Sequence, residues 1–234
     1  MTNLKTNSRR KISIIIPALN EAKTLGKTLK QIIKQASIEI IVVDGGSQDK
    51  TSEIANKFGA KVIYSQQKNR AYQMNLGAAA ATGKIFLFLH ADTLLPTGYF
   101  SLVREVLAMP ETVAGAFELG IDGVQQSFRL LEMAVNWRSR FFSLPYGDQA
   151  LFMKAEVFQE VGGFVPLLIM EDFDLVQRLK KRGKIRIAPA KVLTSSRRWQ
   201  KLGICRTTAI NQLIILGYYL GISPTKLAHW YRKK

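Results

Sequence analysis

The sequence predicts an α/β fold: a mostly parallel central sheet with helices on both faces, closed by a helical C-terminal appendage. Three observations carry this. Short apolar, β-branched runs without alternation recur through residues 12–89, as expected of strands buried on both faces. Between them lie segments of helical composition, an order that implies right-handed crossovers. Gly59 and Gly83 punctuate helix ends.

In order, Ile12–Ile16, Ile40–Val43, Val62–Tyr64 and Ile85–Leu89 read as strands, with helices over Glu21–Ala36, Thr51–Phe58 and Arg70–Ala81. Ala114–Ile121 reads as a strand and Val124–Phe142 as a long amphipathic helix. Ala150–Met153 is a strand, followed by a short helix running into Gly162-Gly163. Glu171–Arg182 is helical, Ile185–Ala188 and Val192–Thr194 are short strands, and Ile204–Leu220 and Pro224–Lys233 are helices. The expected organisation is a disordered basic segment over 1–10, one domain over 11–203, and an appendage over 204–234.

Open sheets of this kind bind ligands beyond the carboxyl ends of their strands. The residues there are Pro17–Glu21 after the first strand, Asp44–Asp49 after the second and His90-Ala91-Asp92 after the fourth. In DGGSQD two glycines allow a close backbone approach to a ligand. The same letters equally describe a tight turn with Asp49 as a helix cap. FLHADTLLP, Phe88 to Pro96, ends its strand on one histidine and one carboxylate.

Charge is segregated. Residues 1–174 hold all 17 acids and 19 of the 34 bases; the last 60 residues hold 15 bases and no acid. An anionic partner is implied: a phosphorylated ligand, an anionic membrane surface or nucleic acid. A solvated basic face is the plainer reading. One cysteine, Cys205, excludes an internal disulfide, and the polar N-terminus has no apolar run behind it. The expected place is the cytoplasm, with peripheral attachment at the inner face of the membrane as a further option. AINQLIILGYYLGI is too short to span a bilayer, which takes about 20 residues.

SIIIPALNEA, IVVDGGSQDKT, RAYQMNLGAAAATGKIFLFLHADT, YGDQALFMKAEVFQEVGGF and MEDFDLVQRLKKRGK occur in that order. Over about residues 11–203 the chain resembles a family 2 glycosyltransferase with the GT-A fold. Its HAD, GDQ and SxRRW elements are closest to the arsenosugar-biosynthesis-type subgroup. The resemblance implies that Pro17, Ala18, Asn20, Glu21 and Asp44 hold the nucleotide, usually uridine, with Asp44 near the base. Gly45, Ser47 and Asp49 belong to the same turn, and Arg70 approaches the nucleotide or its phosphates. The metal-binding DXD element falls on His90-Ala91-Asp92. Glu171-Asp172 matches the element that supplies the general base, with Asp172 the usual base. Asp148 and Gln149 of GDQ line the acceptor side. Arg197, Arg198 and Trp199 resemble the QxxRW region of larger relatives, its glutamine replaced here by Thr194 or Ser195.

Sugar transfer needs a carboxylate to take the acceptor proton, a cation to neutralise the leaving diphosphate, and exclusion of water. One base and no enzymic nucleophile give inversion. The acids at 171, 172 and 174 equally suit a helix N-terminus. On an extended segment His90 and Asp92 point the same way and can both reach one ion, Mn²⁺ or Mg²⁺, with imidazole better tolerated by Mn²⁺; the alternative is that His90 touches the donor and Asp92 is the sole protein ligand. Ala91 lies between them, against the donor. Expected partners are a nucleotide-sugar donor and a small-molecule or lipid-linked acceptor. Residues 175–234 offer a surface to an anionic membrane, and Ile204–Leu220 could instead pack on the core or make a homo-oligomer contact. Nucleic acid is not an expected partner, since no RRM, KH or zinc pattern appears. The competing functions are a nucleotidyltransferase on a similar sheet and a non-catalytic nucleotide-binding module.

Overall fold

The structure, a computed structural model, describes residues 11–32 and 37–232. The segment expected at 1–10 and the last turn of the first predicted helix lie outside them. One eight-stranded sheet organises the chain: β1 (Ile12–Ala18), β2 (Ile38–Asp44), β3 (Lys61–Tyr64), β4 (Ile85–Phe88), β5 (Thr93–Leu94), β6 (Thr112–Asp122), β7 (Phe152–Lys154) and β8 (Lys184–Ser195), in the order β3-β2-β1-β4-β7-β6-β8-β5. The helices are α1 (Ala22–Gln31), α2 (Thr51–Lys57), α3 (Arg70–Ala79), α4 (Tyr99–Ala108), α5 (Gln126–Phe142), α6 (Ala155–Glu160), α7 (Glu171–Lys180), α8 (Arg197–Leu202), α9 (Ile204–Tyr219) and α10 (Pro224–Arg232).

The four predicted strands of the first half form and pair in parallel. β7 runs antiparallel to β4 and to β6, so the sheet is mixed. The two short strands expected at 185–194 are one strand, β8. Its pairing jumps from Phe117↔Ala188 to Glu118↔Lys191, so Pro189 and Ala190 bulge out of the ladder. Proline has no N–H to give there, which the sequence reads as a break and the sheet absorbs as a bulge. α4 and α8 fall in stretches left unassigned by pattern alone.

Apolar side chains fill both faces of the sheet. Ile12, Ile14, Ile16, Leu87 and Phe117 pack on the α1 and α4 side. Ile15, Phe86, Phe88 and Met153 pack on the other, with Phe158 and Leu175 of α6 and α7. α3 lies close on the sheet because Gly77 is bare: a Cβ there would stand 2.5 Å from Ile15 Cγ2.

α5 occupies its predicted span but is turned inside out. Its inward face carries Glu132, Asn136 and Ser139, all buried. Asn136 Oδ1 accepts from Leu119 N at 2.7 Å and its Nδ2 donates to Leu119 O at 3.0 Å, while Glu132 accepts from Ile121 N at 2.8 Å. β7 reaches β6 at Ala114 and Gly115, and farther along that edge these side chains of α5 take the place of a strand. A buried sheet edge needs such partners. Phe128 alone is fully buried among the helix's apolar residues, against Leu119 and Ile121.

At the C-terminus one face of α9 packs on α10 and on the loop before α7. Ile210, Ile214 and Leu227 form a small core with Ile169 and Met170. The segment therefore packs on the body of the molecule through one face, leaving the other free. No described helix is long and apolar enough to cross a membrane.

Candidate active site

A cavity of about 520 Å³ opens at the carboxyl edge of the sheet. Eight of the residues singled out from sequence line it: Arg70, His90, Asp92, Asp148, Glu171, Asp172, Arg198 and Trp199. They come from the start of α3, the turn after β4, the Gly147–Gln149 turn, the start of α7 and α8. Residues that sequence reasoning missed complete the wall, notably Tyr146, Met170, Thr207, Asn211 and Tyr231.

Asp172 sits in the first turn of α7. Its Oδ2 accepts from Gly147 N at 2.7 Å and its Oδ1 from Phe173 N at 2.8 Å. Gly147 has to be glycine, since a Cβ would stand 2.9 Å from Asp172 Oδ2 and 3.3 Å from His90 Nε2. Asp172 and His90 thus face the same small space. Glu171, 2% exposed, lines the cavity in an ion pair with Arg70 Nε. Burial pushes its carboxyl up, against the pull of Arg70. Burial works to lower Arg70, but Glu171 and Asp172 outweigh it and hold the guanidinium charged. The turn into α7 is made by Met170 in the left-handed region, φ 67°, a conformation that costs a non-glycine residue about 1–2 kcal/mol.

His90-Ala91-Asp92 is a turn, not the extended segment expected. β4 ends at Phe88, and Thr93 N donates to His90 O at 3.2 Å. His90 Nε2 lies 3.3 Å from Arg70 Nη1. Burial and then Arg70 pull the imidazole down to about 4, against Asp92 and Asp172, so the ring is neutral at physiological pH. Asp92 Oδ2 accepts from Arg197 Nη2 at 2.8 Å, and the same nitrogen reaches Glu21 Oε2 at 2.9 Å. Ala91 is buried, its carbonyl accepting from Thr28 Oγ1 at 2.9 Å. Among the described residues no cluster of three or more His, Cys, Asp or Glu could hold a metal unaided. A neutral imidazole beside a carboxylate that already holds a cationic group nonetheless suits a weakly held divalent ion, completed by ligand oxygens.

The first two strand ends form a closed double turn beside the cavity, not part of its lining. Asp44, 2% exposed, accepts from Ser47 N at 2.9 Å, from Ser47 Oγ at 2.6 Å and from Ser52 Oγ. Asp49 Oδ2 accepts from Ala22 N at 3.1 Å and Oδ1 from Thr51 N at 3.0 Å, clipping the starts of α1 and α2 together. Asn20 N donates to Ser47 Oγ and Asn20 Oδ1 accepts from Gln48 N. Gly45 is bare where Gln73 Nε2 reaches across to Ala18 O and Val43 O, at 3.1 and 2.8 Å. Pro17 closes β1 at the same edge.

Gln149 does not face the cavity, contrary to the expectation for GDQ. It is fully buried, donating to Phe117 O at 2.9 Å and accepting from Ser139 Oγ at 2.8 Å. Asp148 does face it. Burial, with Asp172 adding, pushes its carboxyl up to about 6 against Arg138, and its Oδ1 has no hydrogen-bond partner among the described residues. Arg138 stacks 3.6 Å from the centroid of the Tyr146 ring. Trp199 packs on Phe128 at 6.4 Å while still touching the cavity.

Known proteins share this architecture. Over 92 residues the chain is 42% identical to the 4,4'-diaponeurosporenoate glycosyltransferase of Staphylococcus haemolyticus, covering 36% of this chain and 24% of that one. It thus spans well under half the length of the curated relatives it matches. Glucosyl-3-phosphoglycerate synthase from Mycobacterium tuberculosis, solved with Mn²⁺, UDP and glucosyl-3-phosphoglycerate, superposes with a TM-score of 0.65 at 21% identity, covering 94% of this chain and 83% of that one. A Pyrobaculum calidifontis mannosyltransferase, solved with GDP-Man and Mn²⁺, gives 0.64 at 22% identity, covering 80% and 56%. The family described as "Glycosyl transferase family 2" matches residues 13–164, more than half the chain. The sheet is the one these structures share, and the family match places the chain: it belongs to glycosyl transferase family 2.

Proposed function

We propose that the protein transfers a sugar from a nucleotide-diphosphate donor, a UDP-sugar, to an acceptor hydroxyl with inversion in a single displacement. The observation that carries this reading is the shared space in front of Asp172, His90 and Asp92, with Arg70 anchored beside it. Asp172, oriented by two backbone N–H groups, takes the proton of the attacking hydroxyl. Arg70 and Arg198 line the cavity with fixed positive charge for the departing diphosphate. Glu171 positions Arg70. Asp92 and His90 would hold Mn²⁺ or Mg²⁺, which when bound supplies further neutralisation of that leaving group. The solved relatives with UDP or GDP-Man and Mn²⁺ support both donor class and metal.

The double turn at Pro17–Glu21 and Asp44–Asp49 is tied to the cavity through Glu21, which shares Arg197 with the cavity-lining Asp92, and carries the nucleoside in this reading. Asp148, Tyr146 and Asn211 face the acceptor, a small molecule or a lipid-linked one. The arsenosugar-type subgroup rests on the HAD, GDQ and SxRRW elements. Thermal shift with UDP, with and without Mn²⁺, tests the core of the reading: stabilisation that needs both is the expected result. Indifference to every nucleotide would overturn it.

A further inference from the structure

α5 presents to solvent the face that an ordinary helix would bury. Leu130, Met133, Trp137 and Phe141 recur at helical spacing, and Phe142 extends the stripe; each is between 52% and 72% exposed. The aromatic end is a cluster, with Trp137 at 5.1 Å from Phe141 and 5.5 Å from Phe142 between ring centroids. The inversion is fixed by the inner face, whose Glu132 and Asn136 are committed to the backbone of β6. The helix cannot roll its apolar side inward without stranding those buried polar groups. Fully burying such side chains is worth about 1.5–3 kcal/mol each, so a stripe of five held in water marks a surface that meets a partner.

A second stripe lies on the outer face of α9, where Leu213, Leu216, Tyr219 and Leu220 are 55–71% exposed. α7 joins the two. Gln177 Nε2 donates to Tyr219 Oη at 3.1 Å, and Lys180 Nζ, one turn on, donates to Phe142 O at 2.8 Å. The exposed ends of both stripes therefore flank one face of α7, beside the solvent-exposed Lys180, Lys181 and Arg182. The one acid of α5, Glu132, is buried, and α7 beyond Asp174, α9 and α10 have none.

We propose that this composite face, led by α5, docks the enzyme on an anionic membrane surface. Aromatic side chains rimmed by lysine and arginine suit the boundary between acyl chains and headgroups. Charge decides against a second copy as the occupant: two such faces would oppose their own lysines in a chain of net charge +17. The inference does not depend on the donor or acceptor assigned above. It widens the membrane contact expected of residues 175–234 to a helix outside that segment.

Sedimentation of the full chain with vesicles of phosphatidylcholine, alone or mixed with phosphatidylglycerol, tests it. Binding is expected to the mixed vesicles and not to the neutral ones. The double variant Trp137→Ser, Phe141→Ser, on an exposed face away from the cavity, should weaken that binding by at least about tenfold. Its melting temperature and response to UDP should stay as in the wild type. Absence of wild-type binding to anionic vesicles, equal binding to neutral ones, or binding indifferent to the double variant would each overturn the proposal. So would a dimer in analytical ultracentrifugation that the double variant abolishes, which would make a second copy the occupant.

Discussion

Asp172 accepts two backbone N–H groups, one from its own helix and one from Gly147, while Asp148 lines the same cavity and keeps a buried Oδ1 without a hydrogen-bond partner among the described residues. Substituting each by its amide separates their roles. Asp172→Asn keeps the shape of the side chain and removes the proposed proton acceptor, so kcat should fall by about 10²–10⁴ with the donor KM nearly unchanged. Steady-state kinetics checks this, and a comparable loss in Asp148→Asn alone would move the base to Asp148. For Asp148 the expected signature is in stability. Its folded value of about 6 lies above the usual 3.8, so between those pH values the folded chain holds a proton the unfolded chain has released. Stability contributed by this group is therefore lost as pH rises through that window. Asp148→Asn should melt higher than wild type above pH 6, by up to about 3 kcal/mol less the share screened by solvent. The difference should vanish near pH 4. At this scale the sequence exposed the acids but not their employment. Asp92 was legible because strand ends converge at one sheet edge, and Asp172 through the resemblance of Glu171-Asp172 to a base-supplying element. Asp44 and Asp49 bond to Ser47, Ser52 and Thr51, the local bonding of the turn-and-cap reading that DGGSQD also allowed.

Among the elements α5 shows what periodicity reveals and what it withholds. The apolar spacing over Val124–Phe142 announced an amphipathic helix at nearly the right limits. It could not say which face turns inward, because that depends on the β7 edge of β6 lacking a strand beyond Gly115, while β8 pairs along the other edge. Asn136 bears that dependence: its amide satisfies both the N–H and the carbonyl of Leu119. Asn136→Ala removes both bonds and leaves two buried backbone groups unpaired, at a cost of about 2–4 kcal/mol. Urea denaturation should show a lower midpoint at unchanged slope. Asn136→Asp should recover less than half of this, since it keeps an acceptor for Leu119 N but sets an oxygen against Leu119 O. β8 repeats the lesson, since only the pairing with β6 reveals that Pro189 is a bulge within one strand and not a gap between two.

At the scale of the whole molecule, the family match ends at residue 164, yet much of the cavity wall lies beyond it. Asp172 and Arg198 come from the basic last third, as do Thr207, Asn211, Ile214, Ile215 and Tyr231 on α9 and α10. The helices that composition marked as an appendage are thus a wall of the site, packed through Ile210, Ile214 and Leu227 onto Ile169 and Met170, directly ahead of Glu171 and Asp172. This was not legible because it depends on the return of the chain across the sheet, which leaves no periodic trace. The consequence is testable. Truncation after Gly203 uncovers the loop that sets α7 and removes one side of the cavity, so kcat/KM should fall by at least about 100-fold and the melting temperature should drop. Point variants of the full chain separate wall from scaffold. Asn211→Ala removes a cavity-lining polar group from an otherwise intact helix and should raise the acceptor KM while leaving UDP-dependent stabilisation in place. Retention of full transfer by the truncated chain would show instead that the last 31 residues are dispensable to the site.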